Sequence, residues 1–392
     1  MQTRAGAAPS IEQAVGTGWT LLPAAALFSI SAGQALAALL VLHWFFSGRF
    51  RSAPKSISVP LAAFLGWTLV AAFLAEPAAP DLAGAVEKWI FALTLPAAYA
   101  HAARGGSVRG PMTLLLAAGI TVIPFGFHSF LATAGGRAGA FSGSGPHLGS
   151  NLMMGFVIFL AVAVAARGPL AALLAAAAAV MLGGLGLTLN RSALLGAAAG
   201  TAVVAARRRP LILAAVLALL TVAAASFPVS KPVLRLRSAL LYRWDQSSHE
   251  RVLMWSAGCR MIRARPLAGF ASRRRFMDAY ESGYRDASAL EPRPGHVHNS
   301  YLQTGVLHGI PGLGLLLWWL TALWRLATAP VRQPEGSPAW REALIPLLVA
   351  VLVNAAFDFV LADGQHALMW YALTGLLLGA AATVPSRART RA

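Results

Sequence analysis

Long apolar segments recur along almost the whole chain, and they constrain its fold more than any other feature. Each holds about 17–25 residues, the length at which an α-helix spans the hydrocarbon core of a bilayer. Lipid offers the backbone no water to bond with, so such segments must satisfy their polar groups internally, as helices. Of the 392 residues, 57% are hydrophobic and only 12% are charged, against about 25% charged in soluble domains. We therefore expect an all-α, polytopic integral membrane protein.

Short basic connections between the apolar segments predict the topology. They include the runs 207–209 and 387–391, which the positive-inside rule places in the cytoplasm. We interpret 11–28 and 30–46 as a helical hairpin, which gives twelve helices, whereas one long helix there would give eleven. The twelve predicted spans are 11–28, 30–46, 57–74, 85–103, 111–131, 148–166, 170–188, 192–206, 210–228, 301–325, 342–361 and 365–383.

One polar segment interrupts this pattern, from about Ser230 to Asn299. It holds thirteen Lys/Arg and six Asp/Glu, a net charge of +7, and twelve of the thirteen bases are arginine. The predicted topology places it on the outer face, where a long loop need not follow the positive-inside rule. We therefore divide the chain into helices one to nine at 1–229, a loop domain on the outer face at 230–300, and helices ten to twelve with a cytoplasmic tail at 301–392.

This outer loop is predicted to contain two short helices, because apolar residues recur in it at helical spacing. Both would lie on or near the membrane surface. The first carries the apolar face Val252, Trp255, Cys259 and Ile262, and the second carries Phe276, Tyr280 and Tyr284.

Cationic side chains from separate segments converge on the predicted outer face. Arg191 lies at the junction between the seventh and eighth spans, Lys88 lies beside Glu87 near the outer end of the fourth, and Arg137 lies in a glycine-rich outer loop. Ionisable residues in or beside spans indicate function by default, and guanidinium groups bind phosphate oxygens bidentately. This pattern favours an anionic, lipid-linked substrate. The alternatives are snorkelling to headgroups for Arg191, an ion pair with Glu87 for Lys88, and compositional bias for the loop arginines.

The loop ends in His296-Val297-His298-Asn299-Ser300-Tyr301, at the entry to the tenth span. A neutral histidine can remove the proton of a hydroxyl near pH 7, and we assign that role to His298. A structural His298 is the alternative, while His296 is either structural or positions an acceptor. Asp358 and Asp363 could orient a histidine or bind sugar hydroxyls. Zinc on the two histidines lacks obvious further ligands, so we expect no metal.

Together these motifs resemble the O-antigen ligases of Gram-negative bacteria, in the superfamily that includes the O-antigen polymerases. The predicted helix count and the large loop between helices nine and ten also match that family. Relatives often carry other polar residues at the position of Arg265, which departs from the pattern. The motifs are the segment from Arg243-Trp244 to Trp255, Arg265-Pro266-Leu267-Ala268-Gly269-Phe270, the histidine motif with Leu302, Gly309-Ile310-Pro311-Gly312, Asn190-Arg191-Ser192-Ala193, and Arg137 with Phe141 and Asn151.

The resemblance implies a GT-C-like membrane glycosyltransferase at the periplasmic face of the inner membrane. Its donor would be O-antigen polysaccharide on undecaprenyl diphosphate and its acceptor lipid A-core, within the lipid bilayer and with no nucleic acid partner. The catalytic residues would be His298, Arg191 and Arg265, and the substrate-binding residues Arg137, Lys88, His296, Asn299 and Arg243.

The chemistry of the leaving group predicts that no cofactor is needed. A departing diphosphate develops negative charge, which a metal or preorganised cations must stabilise. The chain contains no Asp-x-Asp pair of the kind that holds Mg²⁺ or Mn²⁺ between phosphates. Arginines would then carry the charge, and direct attack by the acceptor hydroxyl would invert the anomeric centre.

Three other interpretations stay open. An O-antigen polymerase would use the same chemistry with a second lipid-linked unit as acceptor, and a protein O-oligosaccharyltransferase would use a Ser or Thr side chain. A transporter or flippase for a lipid-linked anion belongs to a different class. Transporters usually place charged groups near the bilayer midplane, often in inverted repeats. The candidate charges here cluster at one face and no repeat is apparent, which favours an enzyme.

Overall fold

The computed structural model describes residues 10–76, 78–132, 145–208, 246–330 and 339–382, and these form helices and turns with no strand. Four shorter helical turns join the helices, at Arg49–Ser52, Ile90–Leu93, Tyr280–Tyr284 and Ala339–Ala343. The helices are α1 (Ile11–Phe28), α2 (Ile30–Phe46), α3 (Lys55–Ala75), α4 (Leu82–Val86), α5 (Thr94–Ala103), α6 (Arg109–Ala132), α7 (Gly145–Ala165), α8 (Pro169–Thr188), α9 (Arg191–Arg208), α10 (Gln246–Ala264), α11 (Arg273–Ala279), α12 (Ser300–Thr328), α13 (Leu344–Ala355) and α14 (Gly364–Ala382).

Five of the described helices are long and apolar enough to cross a bilayer, namely α3, α6, α7, α8 and α12. Shorter apolar helices cover Ile30–Phe46 and Ile90–Ala103. The expected all-helical membrane protein is therefore confirmed. The predicted ninth span, 210–228, lies outside the described residues.

The front of the chain folds as two helices that pack against each other. Ser10 begins α1 with a capping box, in which its side chain and that of Gln13 each accept a backbone hydrogen bond. Ser29 separates the two helices with an extended backbone, and its hydroxyl caps α2 by accepting a bond from the Ala32 N–H. The expectation of two helices, rather than one long helix, is confirmed.

Two predicted spans are interrupted in the structure. In the fourth, α4 ends at Val86, a turn follows, and a short 3-10 segment leads into α5. Asp81 caps α4 as a separate helix, and Trp89 in the turn that follows is fully buried. In the eleventh, α13 ends at Ala355 and residues 356–363, here called the connecting turn, lead into α14. The apolar composition of 342–361 concealed this end, because other segments provide the side chains that hold the turn.

The core of the bundle lies around α7 and α14. Among the five helices that could cross a bilayer, α7 is the most buried: 83% of its spanning segment is buried, against 33–56% in the other four. Helix α14 buries every residue from Gln365 to Gly379. Gly375 and Gly379 lie against backbone carbonyls of α5, where a Cβ atom would overlap. Small residues thus let these helices approach closely, as in other membrane bundles.

The Gly-Ile-Pro-Gly motif bends α12. Gly309 has φ +70° and ψ −175°, a backbone conformation that is essentially restricted to glycine. A Cβ atom at this position would also overlap the carbonyl oxygen of Leu267. Pro311 follows in the same turn, and proline cannot donate the usual helical hydrogen bond. The motif therefore has a structural requirement that is independent of any substrate.

The bend in α12 is hydrogen-bonded to the segment after α10. The carbonyls of Val306 and Leu307 accept hydrogen bonds from the N–H groups of Phe270 (2.9 Å) and Ala271 (2.6 Å). In return, the N–H of residue 310 donates to the carbonyl of residue 266 at 2.7 Å. Two motifs that lie about forty residues apart in the chain are thus joined by backbone hydrogen bonds.

Residues 246–299, here called the loop segment, contain the two predicted helices as α10 and α11. Their buried side chains form a small core with α12, centred on Met254, Met261, Phe276 and Tyr280. The predicted face of the first helix is rotated from the observed one, since Cys259 is exposed. The reason is that α10 packs on α12, so the line through Met254 and Met261 faces inward.

Candidate functional site

Helix ends from distant parts of the chain meet the loop segment at one end of the bundle, here called the loop end. Arg275 of α11 forms an ion pair with Glu76, which follows α3. Arg191, the first residue of α9, places its Nη1 atom 3.2 Å from the Ser248 hydroxyl in α10. Helix α10 in turn reaches the connecting turn, because Arg251 Nη1 donates to a carbonyl there at 3.0 Å. The loop end therefore brings together arginines from α9, α10 and α11.

His298 occupies a constrained position immediately before α12. Its φ of +52° lies in the left-handed region, which residues other than glycine seldom adopt. The next residue, Asn299, caps α12 by accepting a hydrogen bond from the Leu302 N–H at 2.9 Å. The same amide donates to the Ala356 carbonyl at 2.8 Å. Asn299 thus ties the histidine motif to the connecting turn, which fixes the direction of the His298 side chain.

The connecting turn presents Asp358 to His298. The Nδ1 atom of His298 lies 3.2 Å from Oδ1 of Asp358, and that oxygen also accepts the Phe359 N–H at 2.9 Å. Burial alone would raise the pKa of Asp358, but the hydrogen bond and charge of His298 outweigh it, so the pKa lies well below its usual range. An ionised Asp358 assigns the Nδ1 proton to His298, which leaves Nε2 as the proton acceptor.

His296 shapes the turn around this pair. Its ring packs against Phe359, with centroids 5.4 Å apart, and meets the His298 ring edge-on at 4.3 Å. Its Nδ1 atom accepts the His298 N–H at 3.2 Å. Burial, followed by the neighbouring His298, lowers the pKa of His296 to about 4. His296 is therefore neutral at physiological pH, and its contacts are those of a residue that positions the turn.

A second polar group adjoins the first, here called the Asp363 cluster: Lys88, His147, Asp363 and His366. Lys88 Nζ lies 3.7 Å from Asp363 Oδ1, and His147 Nε2 lies 4.0 Å from Asp363 Oδ2. The rings of His147 and His366 have centroids 4.4 Å apart. Burial raises the pKa of Asp363, but the surrounding His366, His296, His147 and Lys88 lower it below its usual value. The charge of His296 lowers the pKa of both Asp358 and Asp363. The His298–Asp358 pair and the Asp363 cluster therefore lie next to each other.

The remaining predicted site residues are placed differently. The Nζ atom of Lys88 also lies 3.6 Å from Glu87 Oε1. Lys88 therefore forms the expected ion pair with Glu87 as well as its contact with Asp363. Arg265 follows α10, where its guanidinium carbon lies 4.9 Å from the Phe270 ring centroid. It thus belongs to the joint with α12 rather than to the connecting turn. Arg137 and Arg243 lie outside the described residues.

Several residues of the loop end were not predicted as site residues. Arg251 holds the connecting turn, and Arg273 holds the chain just before His296 by donating to the Gly295 carbonyl at 3.3 Å. His147 and His366 join the site only through the fold. The sequence did carry one signal for His366, since Asp363-Gly364-Gln365-His366 is a polar group at the start of an apolar span, where ionisable residues indicate function.

Two groups among the described residues have the composition of metal ligands, with ligand atoms within 4.8 Å of one another: His296, His298 and Asp358, and His147, Asp363 and His366. In the first group, Asp358 is the third ligand that the sequence did not reveal. Two of its ligand atoms, His298 Nδ1 and Asp358 Oδ1, already bond to each other, and His296 Nδ1 accepts the backbone N–H of His298. This arrangement suits proton transfer better than metal binding.

Residues 152–317 match the family model described as O-antigen ligase, Wzy_C. This part of the chain is similar to that family, whose members are membrane glycosyltransferase-type enzymes, and the match confirms the resemblance seen in the motifs. The matched region contains Arg191, Arg265 and both histidines of the motif, and it ends before Asp358. No curated protein matches the chain.

Proposed function

We propose that this protein is an O-antigen ligase, which moves O-antigen polysaccharide from undecaprenyl diphosphate onto lipid A-core. The chain would cross the inner membrane of a Gram-negative bacterium about twelve times, with the loop end facing the periplasm. The family match supports an enzyme of the ligase and polymerase superfamily. The observation that carries the proposal further is the His298–Asp358 pair at the loop end, beside cations from α9 and the loop segment.

His298 acts as the general base in this proposal. Its Nε2 atom accepts the proton of an acceptor sugar hydroxyl while that oxygen attacks the anomeric carbon of the donor. The side chain is 30% exposed, so a substrate can reach it. Asp358 stabilises the imidazolium that forms, because its carboxylate stays ionised 3.2 Å away.

Arginines stabilise the leaving group. As the new glycosidic bond forms, the bond from the anomeric carbon to the diphosphate oxygen breaks, and the electron pair leaves on the diphosphate. Arg191 reaches the loop end from α9, where its planar guanidinium can hold two phosphate oxygens. Lys88, Arg265, Arg137 and Arg243 complete the proposed cationic set. The transfer is metal-independent and inverts the anomeric centre.

The location of these groups supports an enzyme over a transporter. The described candidates lie at helix ends and in turns: His298 before α12, Arg191 at the start of α9, and Asp358 in the connecting turn. A transporter would instead hold its substrate near the midplane between repeats. The described polar groups of the loop end suit chemistry at a membrane surface.

Reconstitution tests the proposal directly. The purified full-length protein is placed in proteoliposomes with undecaprenyl diphosphate-linked glycan and one of three acceptors: rough lipopolysaccharide, a second lipid-linked unit, or a Ser/Thr peptide. The proposal predicts glycan transfer to lipopolysaccharide alone. Extension of the lipid-linked unit would identify a polymerase, and glycosylation of the peptide an oligosaccharyltransferase. Movement of the donor across the bilayer without transfer to any acceptor would contradict an enzymatic function.

A further inference from the structure

Three side chains with metal-binding groups converge where α7 and α14 begin. His147 lies in the first turn of α7, His366 in the first turn of α14, and Asp363 immediately before α14. One ligand atom from each lies within 4.8 Å of the other two. We propose that these three residues bind a divalent transition-metal ion of the Zn²⁺ class, which joins the ends of the two central helices.

The buried imidazoles carry the inference. The His366 side chain is only 3% exposed, and neither of its ring nitrogens has a hydrogen-bond partner within the described part of the chain. The Nδ1 atom of His147 is also buried without a partner there. Buried polar side chains are normally hydrogen-bonded, and each exception calls for an explanation such as a bound ion. Two such imidazoles beside a carboxylate provide two nitrogen ligands and one oxygen ligand.

The neighbouring group of His296, His298 and Asp358 offers the same kinds of ligand, but the Nδ1 atoms of its histidines have hydrogen-bond partners. His298 Nδ1 and Asp358 Oδ1 bond to each other, and His296 Nδ1 accepts a backbone N–H. A metal there would have to break these bonds. Within the described part of the chain, His147 Nδ1 and both ring nitrogens of His366 have no hydrogen-bond partner, and His147 Nε2 lies 4.0 Å from Asp363 Oδ2.

The ligand set selects the class of ion. Zn²⁺ binds imidazole nitrogens at about 2.0–2.1 Å, which places tetrahedral ligand atoms roughly 3.4 Å apart. The ligand atoms lie within 4.8 Å of one another, so side-chain shifts of up to about 1 Å would bring this group to that geometry. Mg²⁺ and Ca²⁺ prefer oxygen ligands, so two imidazoles favour a transition metal. Three protein ligands leave a fourth position for water.

A cation fits this group better than an anion does. The Asp363 carboxylate lies among the two imidazoles and Lys88, so a phosphate bound there would meet a negative charge. Lys88 is the competing cation, because its Nζ atom is 3.7 Å from Asp363. Removing its charge should therefore strengthen metal binding. This opposite effect gives the proposal a second, independent test.

The metal is proposed to stabilise the fold and to take no part in glycosyl transfer. An ion that binds only the native state raises its stability, by an amount that grows with the logarithm of the free ion concentration once this exceeds Kd. The site joins α7 and α14, the helices with the most buried spans. Metal binding and unfolding temperature report on this site, whereas glycan transfer reports on the proposed function. A failure of one can therefore be distinguished from a failure of the other.

The test uses the full-length protein in detergent with its affinity tag removed, titrated with Co²⁺ as a spectroscopic probe for Zn²⁺. We expect one equivalent to bind with the visible absorption of a tetrahedral site, and the unfolding temperature to rise with Co²⁺. His147→Ala removes a partly exposed ligand and should weaken binding at least tenfold, as should His366→Gln. His128→Ala is the matched control, because His128 is exposed on α6 and should leave binding unchanged. Lys88→Met should bind more tightly than the wild type.

Three results would overturn the proposal. The first is a lack of Co²⁺ binding by the wild-type protein. The second is unchanged affinity in His147→Ala, a substitution at a partly exposed position that leaves the buried His366 in place. The third is loss of binding in His296→Ala with retention in His147→Ala, which would place the ion on the other histidine pair.

Discussion

The Nδ1 atom of His298 lies 3.2 Å from Oδ1 of Asp358, although the two residues are separated by 60 positions in the chain. The connecting turn brings Asp358 to this point, and Asn299 binds the turn to the helix that follows the histidine. A base and the carboxylate that supports it are thus assembled from two motifs, of which only the first lies within the matched family region.

Asp358→Asn tests the support that this carboxylate gives to the base. The amide keeps the shape of the side chain, but it has no charge to stabilise the imidazolium formed during transfer. We expect kcat to fall on the order of 10²-fold with little change in KM. The acidic limb of the kcat/KM profile should also move to lower pH, because His298 becomes a weaker base. A merely structural Asp358 would lower the amount of folded protein without moving that limb.

Arg191→Lys tests whether the geometry of the guanidinium matters. Lysine keeps the charge but cannot hold two phosphate oxygens in a planar fork, so we expect glycan transfer to fall at least tenfold. Arg263→Lys is the matched control, since Arg263 is exposed in the last turn of α10. Equal rates for wild type and Arg191→Lys in the reconstituted transfer assay would show that a point charge is sufficient.

Gly309→Ala tests the structural account of the Gly-Ile-Pro-Gly motif. The new methyl group would overlap the Leu267 carbonyl in a conformation that alanine adopts at a penalty of about 1–3 kcal/mol. We expect a lower unfolding temperature in detergent. Gly314→Ala in the same helix has no atom within 4 Å of the added methyl group and should be neutral or slightly stabilising. Similar unfolding temperatures for the two variants would refute the joint between α12 and the segment after α10.

Acid should destabilise the protein through His296. Its pKa is lowered by burial from 6.5 to about 4, so between these values the unfolded chain binds more protons than the folded protein. Stability is therefore fully present above about pH 6.5 and declines as the pH falls toward 4. His296→Gln should weaken this decline, as measured by the unfolding temperature across pH 4–7. The same pH dependence in both proteins would assign the effect to other groups.

Much of the architecture could be predicted because it depends on local pattern. Apolar length identified the membrane helices, and Ser29 divided the first two helices where the hairpin interpretation placed the break. The two helices of the loop segment followed from their apolar spacing. The face of α10 was placed wrongly because periodicity reports a helix but not its partner, and α12 supplies that partner.

The site was harder to predict because its contacts join distant segments. His298 was identified from a local motif, whereas the partner role of Asp358 depends on where α13 ends. That end is set by hydrogen bonds from Asn299, Ser300 and Arg251 to the connecting turn, which no local pattern in 342–361 reveals. Likewise, His147 and His366 come together only through the packing of α7 beside α14.

Glycan transfer in the presence of EDTA, measured side by side for the wild type and His298→Ala in proteoliposomes, tests the central claim most directly. His128→Ala serves as the control for histidine removal. The proposed mechanism predicts full wild-type transfer in EDTA and no detectable transfer by His298→Ala, with equal amounts of both proteins in the membrane. Wild-type rates in His298→Ala would contradict catalysis by this histidine. A loss of wild-type activity in EDTA that a divalent ion restores, at a temperature where the EDTA-treated protein stays folded, would contradict metal-free catalysis.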